Sequence, residues 1–581
     1  MSLATIIALF REASYVQITP VRLAFWVKVP PLGTISLLLA YLAFVLALEF
    51  LNNDVPGAQH YQALGIRAGW LAVAQVPLLI LLAGKNNLIG FLTGTSYERL
   101  NVLHRWTSRV LLLLATLHFG YQSYGWNQYG LMQMEWDTDS CPPTGIAAYA
   151  ILLWINLSTF APLRNLSYEF FVIQHVLTFF GFIIAIMIHL PSTALYSRVY
   201  IYIPIGVYFL DRVVRTSFFA YNNSSPGRAF LTAMEGGVTK IRIPVKHVKN
   251  WRPGAHVLLK IPSMGLLESH PATIASRPWS HENDLMFILK AHKGFTNRLL
   301  MSATSSTTSL LPKTEQEAIA PTQTHTALID GPYGGSQADF AAFDTVLLIA
   351  GSTGVTFTLS LLLDIAHRAP SQRLPLRRLH FVWVVKNISW TSWISDELCS
   401  AFENLRDAGI EIKIRVFVTC DDAFTESSDT GRRSGCQCDK SLGPCCCTRR
   451  GSADENAITS FDSEGPTSGA ISDEKSNIAD SKARGMPLTA SNAPCCSKKK
   501  NNHINNTLTT CAIFESGRPP IHELIWQLLD QAEGETGIAV CGPLGLNTTI
   551  RTTVAKISDE RAVHKGTGAQ GIYLHAEGFC W

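Results

Sequence analysis

Four histidines within apolar segments constrain this chain more than any other feature. His104 and His118 lie in one apolar segment, His175 and His189 lie in another, and each pair is separated by 14 positions. In an α-helix, 14 residues return a side chain to within about 40° of the same face and advance it by roughly 21 Å. Two such helices side by side therefore place His104 opposite His175 (the inner pair) and His118 opposite His189 (the outer pair).

Polar side chains inside a bilayer are costly and usually functional. A neighbour in the protein core can satisfy one buried histidine, but four histidines at a duplicated spacing are hard to explain in that way. Because two facing imidazoles can bind one haem iron, the sequence predicts two bis-histidine haems, one near each membrane surface. Arg105 and Arg109 follow His104 closely and are candidate partners of haem propionates, the alternative being simple anchoring at the membrane surface.

Six apolar segments have the length of roughly 17–25 residues that a bilayer requires. They lie near residues 32–51, 68–84, 98–124, 144–160, 168–190 and 197–216. Basic residues concentrate at one set of segment ends, with Arg67 and Arg198 as exceptions, whereas the loop 121–145 has none. This distribution predicts cytosolic termini and a non-cytosolic loop. The net charge of +4 gives no reason to expect nucleic-acid binding.

The chain beyond residue 217 has the pattern of a soluble protein. Short strands are predicted at 228–234, 238–245, 256–261 and 285–291. Glycine and proline separate them, which is typical of a small antiparallel barrel. The extended segment from His270 to Ser276 can present polar side chains to a flavin. Gly294 precedes a helix-like run and can let backbone N–H groups approach a pyrophosphate, although Gly-Phe-Thr also forms ordinary turns.

From Phe343 onwards, strands alternate with helices, which predicts a doubly wound parallel sheet with its ligand at the carboxyl ends of the strands. Strands are predicted at 346–350, 379–385, 410–419, 537–540 and 571–575. The first leads into Gly351-Ser-Thr-Gly354-Val-Thr356 and a helix, which is typical of a dinucleotide phosphate site. Lys386 and Arg518 are candidates to contact an adenosine 2′-phosphate, the alternative being ordinary solvated charges.

Two segments remain open to several interpretations. Residues 420–510 are polar and aperiodic, which predicts disorder, and seven of the thirteen cysteines lie between positions 436 and 496. These thiols suggest soft-metal binding or palmitoylation, or have no role, since the cytosol disfavours structural disulfides. The loop residues Glu135, Asp137 and Asp139, with Met132 and Met134, can collect Fe³⁺ or Cu²⁺ complexes or can form a solvated acidic loop.

Together these motifs resemble those of the fungal ferric-chelate reductases, in the superfamily that also contains the superoxide-generating NADPH oxidases. The residues that carry the resemblance are the paired histidines, 92–106, 251–256, 270–273, 351–354, 541–543 and 577–579. It covers nearly all of the chain except the first 25 residues and the segment 420–510. It implies a six-helix transmembrane haem-binding bundle followed by a ferredoxin-reductase-like module.

The resemblance also implies the domain boundaries and the cofactor sites. The expected parts are a cytosolic segment 1–27, the haem domain 28–217, an antiparallel β-barrel FAD domain 218–338 and an α/β doubly wound NADPH domain 339–581. The FAD contacts are expected at His270, Pro271, Thr273, Gly294 and Thr296. The NADPH contacts are expected at Gly351, Thr353, Gly354, Thr356, Cys541, Gly542 and Pro543, to which Lys386 is added as the candidate 2′-phosphate contact given above. Phe579 is expected to stack on the flavin, although the chain continues to Trp581, and Ala272 replaces the usual phenylalanine of the His-Pro-Phe-Thr motif.

The implied function is passage of electrons from cytosolic NADPH through FAD and two b-type haems to a ferric or cupric chelate outside the cytosol. The plasma membrane is the first expectation and an endomembrane the second, and an iron permease with a multicopper oxidase is the expected uptake partner. A superoxide-generating oxidase is the main alternative. The equal 14-residue spacings favour the reductase, because the oxidases typically shorten one spacing by a residue. The flavin and nucleotide motifs argue against a haem sensor without turnover.

Overall fold

The computed structural model describes residues 10–18, 29–308, 324–424, 508–564 and 571–578, apart from a few single positions within these ranges. Phe579, Trp581 and nearly all of the segment 420–510 lie outside the described residues, so the expectations for them stay predictions. Three parts follow one another along the described chain: a helical bundle, an antiparallel sheet and a parallel sheet.

Six long helices occupy the positions of the six apolar segments. They are α1 Leu32–Phe50, α2 Gln59–Ala83, α3 Tyr97–Gln128, α4 Cys141–Ser158, α5 Tyr168–His189 and α6 Val199–Asn222. By length and composition, α1, α2, α4 and α5 can cross a membrane. Helices α3 and α6 are long enough but less apolar than the other four, so the crossing of the membrane by all six helices stays a prediction.

The helices share one apolar core. Each helix contributes at least one buried side chain to it, namely Val45, Val76, Leu114, Leu152, Ile183 and Ile201. The opposite faces are apolar as well, and Leu39, Phe44, Ile173 and Ile184 are exposed there. A helix that is apolar all round is either buried in protein or in contact with lipid. The exposed apolar faces therefore suit a bundle embedded in a bilayer.

The antiparallel sheet follows α6. Its strands are β1 Gly227–Met234, β2 Val238–Pro244, β3 Ala255–Lys260, β4 His270–Thr273, β5 Asp284–Lys290 and β6 Thr324–Gly334, in the order β4-β3-β6-β1-β2-β5. The four predicted strands are confirmed to within a residue at each end, whereas β6 was not predicted. The Ala275 N–H, just beyond β4, donates to the Met286 carbonyl of β5 at 2.8 Å. The chain at the end of β4, the first strand in the order, therefore contacts β5, the last. Helix α7, Phe295–Thr308, follows β5.

The parallel sheet contains β7 Thr345–Gly351, β8 Arg378–Val385, β9 Glu411–Val418, β10 Ile513–Ser516, β11 Thr536–Gly542 and β12 Ile572–Gly578. Its helices are α8 Val355–Arg368, α9 Ser395–Asp407, α10 Ile521–Gln531 and α11 Leu544–His564. The strand order is β10-β9-β8-β7-β11-β12, and every neighbouring pair is parallel. The chain runs outward from β7 to β10 and returns to β11 beside β7. The predicted doubly wound topology is thus confirmed, with its switch point between β7 and β11.

Two details of this sheet differ from expectation. Strand β10 has only four residues and follows the long polar segment, so the local sequence pattern does not predict it. A disulfide joins Cys399 of α9 to Cys511 with a Cα–Cα distance of 5.7 Å, although the cytosol generally disfavours structural disulfides. Strand β10, which follows the polar segment, pairs in parallel with β9, the strand that precedes it.

Candidate functional site

Within each histidine pair, inner and outer, the two rings face each other across the bundle. The ring centroids of His104 and His175 lie 6.5 Å apart, and those of His118 and His189 lie 6.0 Å apart. An imidazole–metal bond is roughly 2 Å long, so two rings on opposite sides of one metal ion have centroids about 6 Å apart. Both pairs therefore have the separation that one iron each requires, and the residues present fit two bis-histidine haems.

Hydrogen bonds fix the orientation of three of the four imidazoles. The ring nitrogens Nδ1 of His104, His118 and His189 each contact a backbone carbonyl, respectively that of Leu79 at 2.9 Å, Gly65 at 2.7 Å and Cys141 at 2.9 Å. Donation from Nδ1 leaves Nε2 as the nitrogen available to a metal, and such second-shell bonds hold the ring in place. The buried Nδ1 of His175 has no hydrogen-bond partner among the described residues.

Two glycines leave the space that the outer pair occupies. A Cβ atom on Gly145 would lie 2.6 Å from Cε1 of His189, and one on Gly69 would lie 2.9 Å from Nδ1 of His118. Both distances are too short for any side chain at these positions. Sequence reasoning missed both glycines because a glycine in an apolar helix carries no sign of which ring it will meet.

The charged residues beside the inner pair include an unsatisfied group. The buried Nε of Arg105 has no hydrogen-bond partner among the described residues, and the Arg109 guanidinium lies over the Trp106 ring at 4.5 Å. An unpartnered guanidinium nitrogen next to His104 fits the predicted propionate contact. On the other side of the bundle, the described residues contain no group of three or more His, Cys, Asp or Glu side chains able to hold a metal ion. The acidic residues 135–139 thus form no converged metal site there.

The predicted flavin contacts lie on and after β4. His270 stacks on Phe295 with centroids 5.6 Å apart, and burial lowers the pKa of this histidine, which favours the neutral ring. Ala272 is buried opposite Val257 of β3, so a methyl group fills this core position. Thr273, the last residue of β4, pairs with His256.

The second flavin segment is a turn that opens a helix. Gly294 has a φ of +65° and immediately precedes α7, and a Cβ atom added there would meet nothing within 4 Å. The Thr296 hydroxyl oxygen accepts the backbone N–H of His292 at 2.9 Å, which ties the turn to the first helical residues. The open space at Gly294 leaves backbone N–H groups accessible to a phosphate.

The predicted nucleotide contacts meet at the switch point of the parallel sheet. Gly351 ends β7 and packs against the end of β11 and the turn that follows it. A Cβ atom on Gly351 would lie 2.8 Å from Cδ of Pro543 and 3.4 Å from Cα of Gly542. The Thr356 hydroxyl donates to the Thr353 carbonyl at 3.0 Å and closes the first turn of α8. Gly354 caps that helix, and Cys541 is buried, which raises its pKa and keeps it a neutral thiol.

Two candidate readers of a 2′-phosphate lie at the same end of this sheet. Lys386 follows β8 directly and Arg518 follows β10, and both side chains are exposed. Both roles stay predictions, because each side chain is free to contact either a ligand or solvent.

A cavity of about 200 Å³ lies where the three parts of the structure meet. The lining residues that carry charge or stack include Glu98 and Arg99 from α3, His256 from β3, Phe357 from α8, and His575 and Glu577 from β12. The Phe357 and His575 rings stack with centroids 5.2 Å apart. The cavity therefore connects the start of the histidine-bearing helix with both sheets.

Ion pairs across this cavity join the bundle to the sheets. The Arg99 guanidinium lies 3.0 Å from the Glu577 carboxylate and 3.0 Å from Nε2 of His575. Burial alone would raise the pKa of Glu577. The hydrogen bond from His575 and the charge of Arg99 outweigh burial and lower this pKa to about 2. His256 contacts Glu98 at 2.8 Å. The sequence analysis placed these residues in motifs, at a strand end or among the basic residues that set the membrane orientation, and predicted none of the contacts between them.

The antiparallel sheet has its own contacts with the bundle. Arg215 near the end of α6 forms an ion pair with Asp330 of β6. Asn223 contacts Ile329 twice, donating to its carbonyl at 2.9 Å and accepting its N–H at 2.8 Å. These bonds hold β6 against the end of α6.

Such an arrangement, with paired histidines in an apolar helical bundle followed by a flavin-type antiparallel sheet and a nucleotide-type parallel sheet, is that of a membrane protein with sites suited to haem, flavin and a nucleotide. Comparison with known families gives three matches. Residues 68–186 match the ferric reductase like transmembrane component, residues 228–337 an FAD-binding domain, and residues 343–555 the ferric reductase NAD binding domain. The chain belongs to the fungal ferric reductase family.

Individual relatives agree with that assignment. The chain is 31% identical over 418 residues to a probable cell surface ferric reductase, kap2, of Aspergillus oryzae, covering 67% of this chain and 52% of that protein. It is 29% identical over 372 residues to the ferric/cupric reductase transmembrane component 7 of Saccharomyces cerevisiae, covering 62% and 56%. The chain thus spans about half the length of these curated relatives.

Proposed function

We propose that this protein is a transmembrane reductase of ferric chelates, and secondarily of cupric chelates, that takes its electrons from cytosolic NADPH. The observation that carries the proposal is the presence of two facing histidine pairs in one bundle, joined through Arg99 to the nucleotide-type sheet. The relatives named ferric/cupric reductases support the same substrate class.

The bound groups supply the redox chemistry: NADPH a hydride, FAD the conversion between hydride and single electrons, and haem the carriage of single electrons. The protein contributes placement. His104 with His175 and His118 with His189 hold the two haem groups, separated along α3 by roughly 21 Å. The Nδ1 bonds of three of these histidines leave Nε2 as the nitrogen that would bind the iron.

We infer that the two sheets would hold flavin and nucleotide beside each other. The segment His270–Thr273 and the turn at Gly294 hold FAD on the antiparallel sheet, which we infer to be the closed barrel expected for this class. The Gly351 and Gly542 turns, at adjacent strand ends, hold NADPH at the switch point. Phe579 is the aromatic residue that we infer would cover the flavin ring.

The membrane arrangement follows from the charge pattern. We infer that all six helices span the bilayer, that both sheets are cytosolic and that the short helix Met132–Thr138 faces the other side. The plasma membrane is the expected location. An iron permease and a multicopper oxidase would then use the reduced metal. The proposed domains are the cytosolic segment 1–27, the haem domain 28–217, the FAD domain 218–338 and the NADPH domain 339–581.

An NADPH-driven assay on sealed vesicles tests this function. Ferric and cupric chelates are supplied on the non-cytosolic side in parallel, with and without superoxide dismutase. The proposal predicts formation of ferrous chelate that superoxide dismutase does not suppress. Metal reduction that disappears with the dismutase or without O₂ would instead identify an oxidase, and no NADPH oxidation would leave a non-catalytic haem protein.

A further inference from the structure

A short segment near the N-terminus, residues 10–18, binds the outer edge of the parallel sheet. Strand β12 ends the strand order and pairs with β11 on one side. On its other side, Oε1 of Glu12 accepts the Ile572 N–H at 2.8 Å, and the Tyr15 hydroxyl oxygen accepts the Leu574 N–H at 3.3 Å. Glu12 is 2% exposed. Backbone donors of an edge strand usually face solvent, but here two alternate ones are bound by side chains.

The same segment is fixed to the start of the bundle. The N–H groups of Leu32 and Gly33 donate to the carbonyls of Val16 at 2.8 Å and Ser14 at 3.0 Å. A Cβ atom on Gly33 would lie 2.7 Å from Cβ of Ser14, so the two backbones are in close contact. Residues 10–18 therefore connect α1 directly with β12.

The opposite end of β12 is also held to the bundle. Glu577 binds Arg99 at the start of α3, and its backbone carbonyl accepts a hydrogen bond from Asn547 of α11 at 2.6 Å. The antiparallel sheet is held to the bundle by Arg215 and Asn223 at the end of α6, and by His256, which contacts Glu98 at the start of α3. The two sheet-bearing parts also contact each other directly, through Lys240 with Glu397 and Arg277 with Asp364. The contacts of Glu12 and Tyr15 add to these at the outer edge of the nucleotide-type sheet.

We propose that Glu12 is a positioning residue, which together with Tyr15 fixes β12 and thereby sets the NADPH site against the FAD site. This inference rests on the proposed function. Glu12 acts on delivery of the hydride to the flavin, because it contacts the nucleotide-type sheet. Passage of electrons from flavin to the inner pair should depend much less on Glu12, because the antiparallel sheet has its own contacts with α6 and α3.

The test separates those two steps in full-length protein loaded with haem and FAD. Glu12→Ala removes the hydrogen-bond acceptor, whereas Glu12→Gln keeps a carbonyl oxygen in its place. We expect Glu12→Ala to slow flavin reduction by NADPH by roughly 10- to 100-fold, the effect of small misplacement at a reacting centre. Haem reduction after photoreduction of the flavin should keep its wild-type rate. Glu12→Gln should restore most of the NADPH rate, and Glu403→Ala, an exposed acid on α9, should change nothing.

Hydrogen exchange gives a readout that does not depend on turnover. The amides of Ile572 and Leu574 should exchange faster in Glu12→Ala than in Glu12→Gln or wild type. Unchanged exchange and unchanged flavin reduction in Glu12→Ala would overturn the inference, as would equal slowing of both electron steps. If wild-type protein failed to reduce ferric chelate while Glu12→Ala still slowed flavin reduction, the proposed function alone would fail.

Discussion

Arg99 and Glu577 form an ion pair at 3.0 Å although 478 positions separate them in the sequence. Arg99 lies in the first turn of α3, the helix that carries His104 and His118, and Glu577 lies near the end of β12. This one contact joins the histidine-bearing helix to the nucleotide-type sheet beside the cavity.

The ion pair predicts a pH dependence of stability. The pKa of Glu577 is lowered from 4.5 to about 2 in the fold, so its carboxylate stabilises the folded protein fully above about pH 4.5 and progressively less towards pH 2. Glu577→Gln should therefore lower the thermal unfolding temperature at pH 7, and by a smaller amount at pH 3. Unfolding followed at a series of pH values checks this. An equal difference at pH 7 and pH 3 would contradict the assigned charge.

Gly145 offers a test of the outer pair. Gly145→Ala places a methyl group where the His189 ring lies, since a Cβ atom there would be 2.6 Å from Cε1 of that ring. We expect loss of low-spin character at one of the two haems, measured by electron paramagnetic resonance. Gly120→Ala on α3 is the matched control, because a Cβ atom there meets nothing within 4 Å. Identical spectra for the two variants would argue against His189 as a ligand.

Gly351 tests the nucleotide site. A methyl group there collides with Pro543 at 2.8 Å and pushes apart the two turns that would hold NADPH. We expect Gly351→Ala to raise the KM for NADPH by roughly tenfold or more, since each 1.4 kcal/mol of lost binding is a factor of ten. Gly545→Ala, at the start of α11, meets nothing within 4 Å and should leave KM unchanged. Steady-state kinetics with both variants decides between the outcomes.

The order of the electron carriers has its own test. His118→Ala removes one member of the outer pair and leaves both sheets untouched, so acceptor reduction should be lost while NADPH still reduces the flavin. His522→Ala, on the exposed side of α10, is the control. Flavin absorbance and ferrous-chelate formation are followed in the same sample. Loss of flavin reduction in His118→Ala alone would contradict the proposed order.

The histidine pairing was predictable because helical periodicity alone brings residues 14 positions apart onto one face. The parallel sheet was predictable because strands and helices alternate, with glycine turns at the strand ends. Contacts between distant segments were not predictable in this way. Nothing near Arg99 indicates Glu577, nothing near Gly145 indicates the His189 ring, and the role of Glu12 depends on a strand 560 positions away. Each of these depends on how the three parts pack together.

The most direct measurement is the haem content and absorbance of the purified full-length chain, compared with His104→Ala and His118→Ala. We expect two b-type haems per chain with reduced low-spin spectra in the wild type, and loss of one haem in each variant. A wild-type chain without low-spin b-type absorbance, or variants that keep both haems, would contradict the central claim that the facing histidine pairs carry electrons across the membrane.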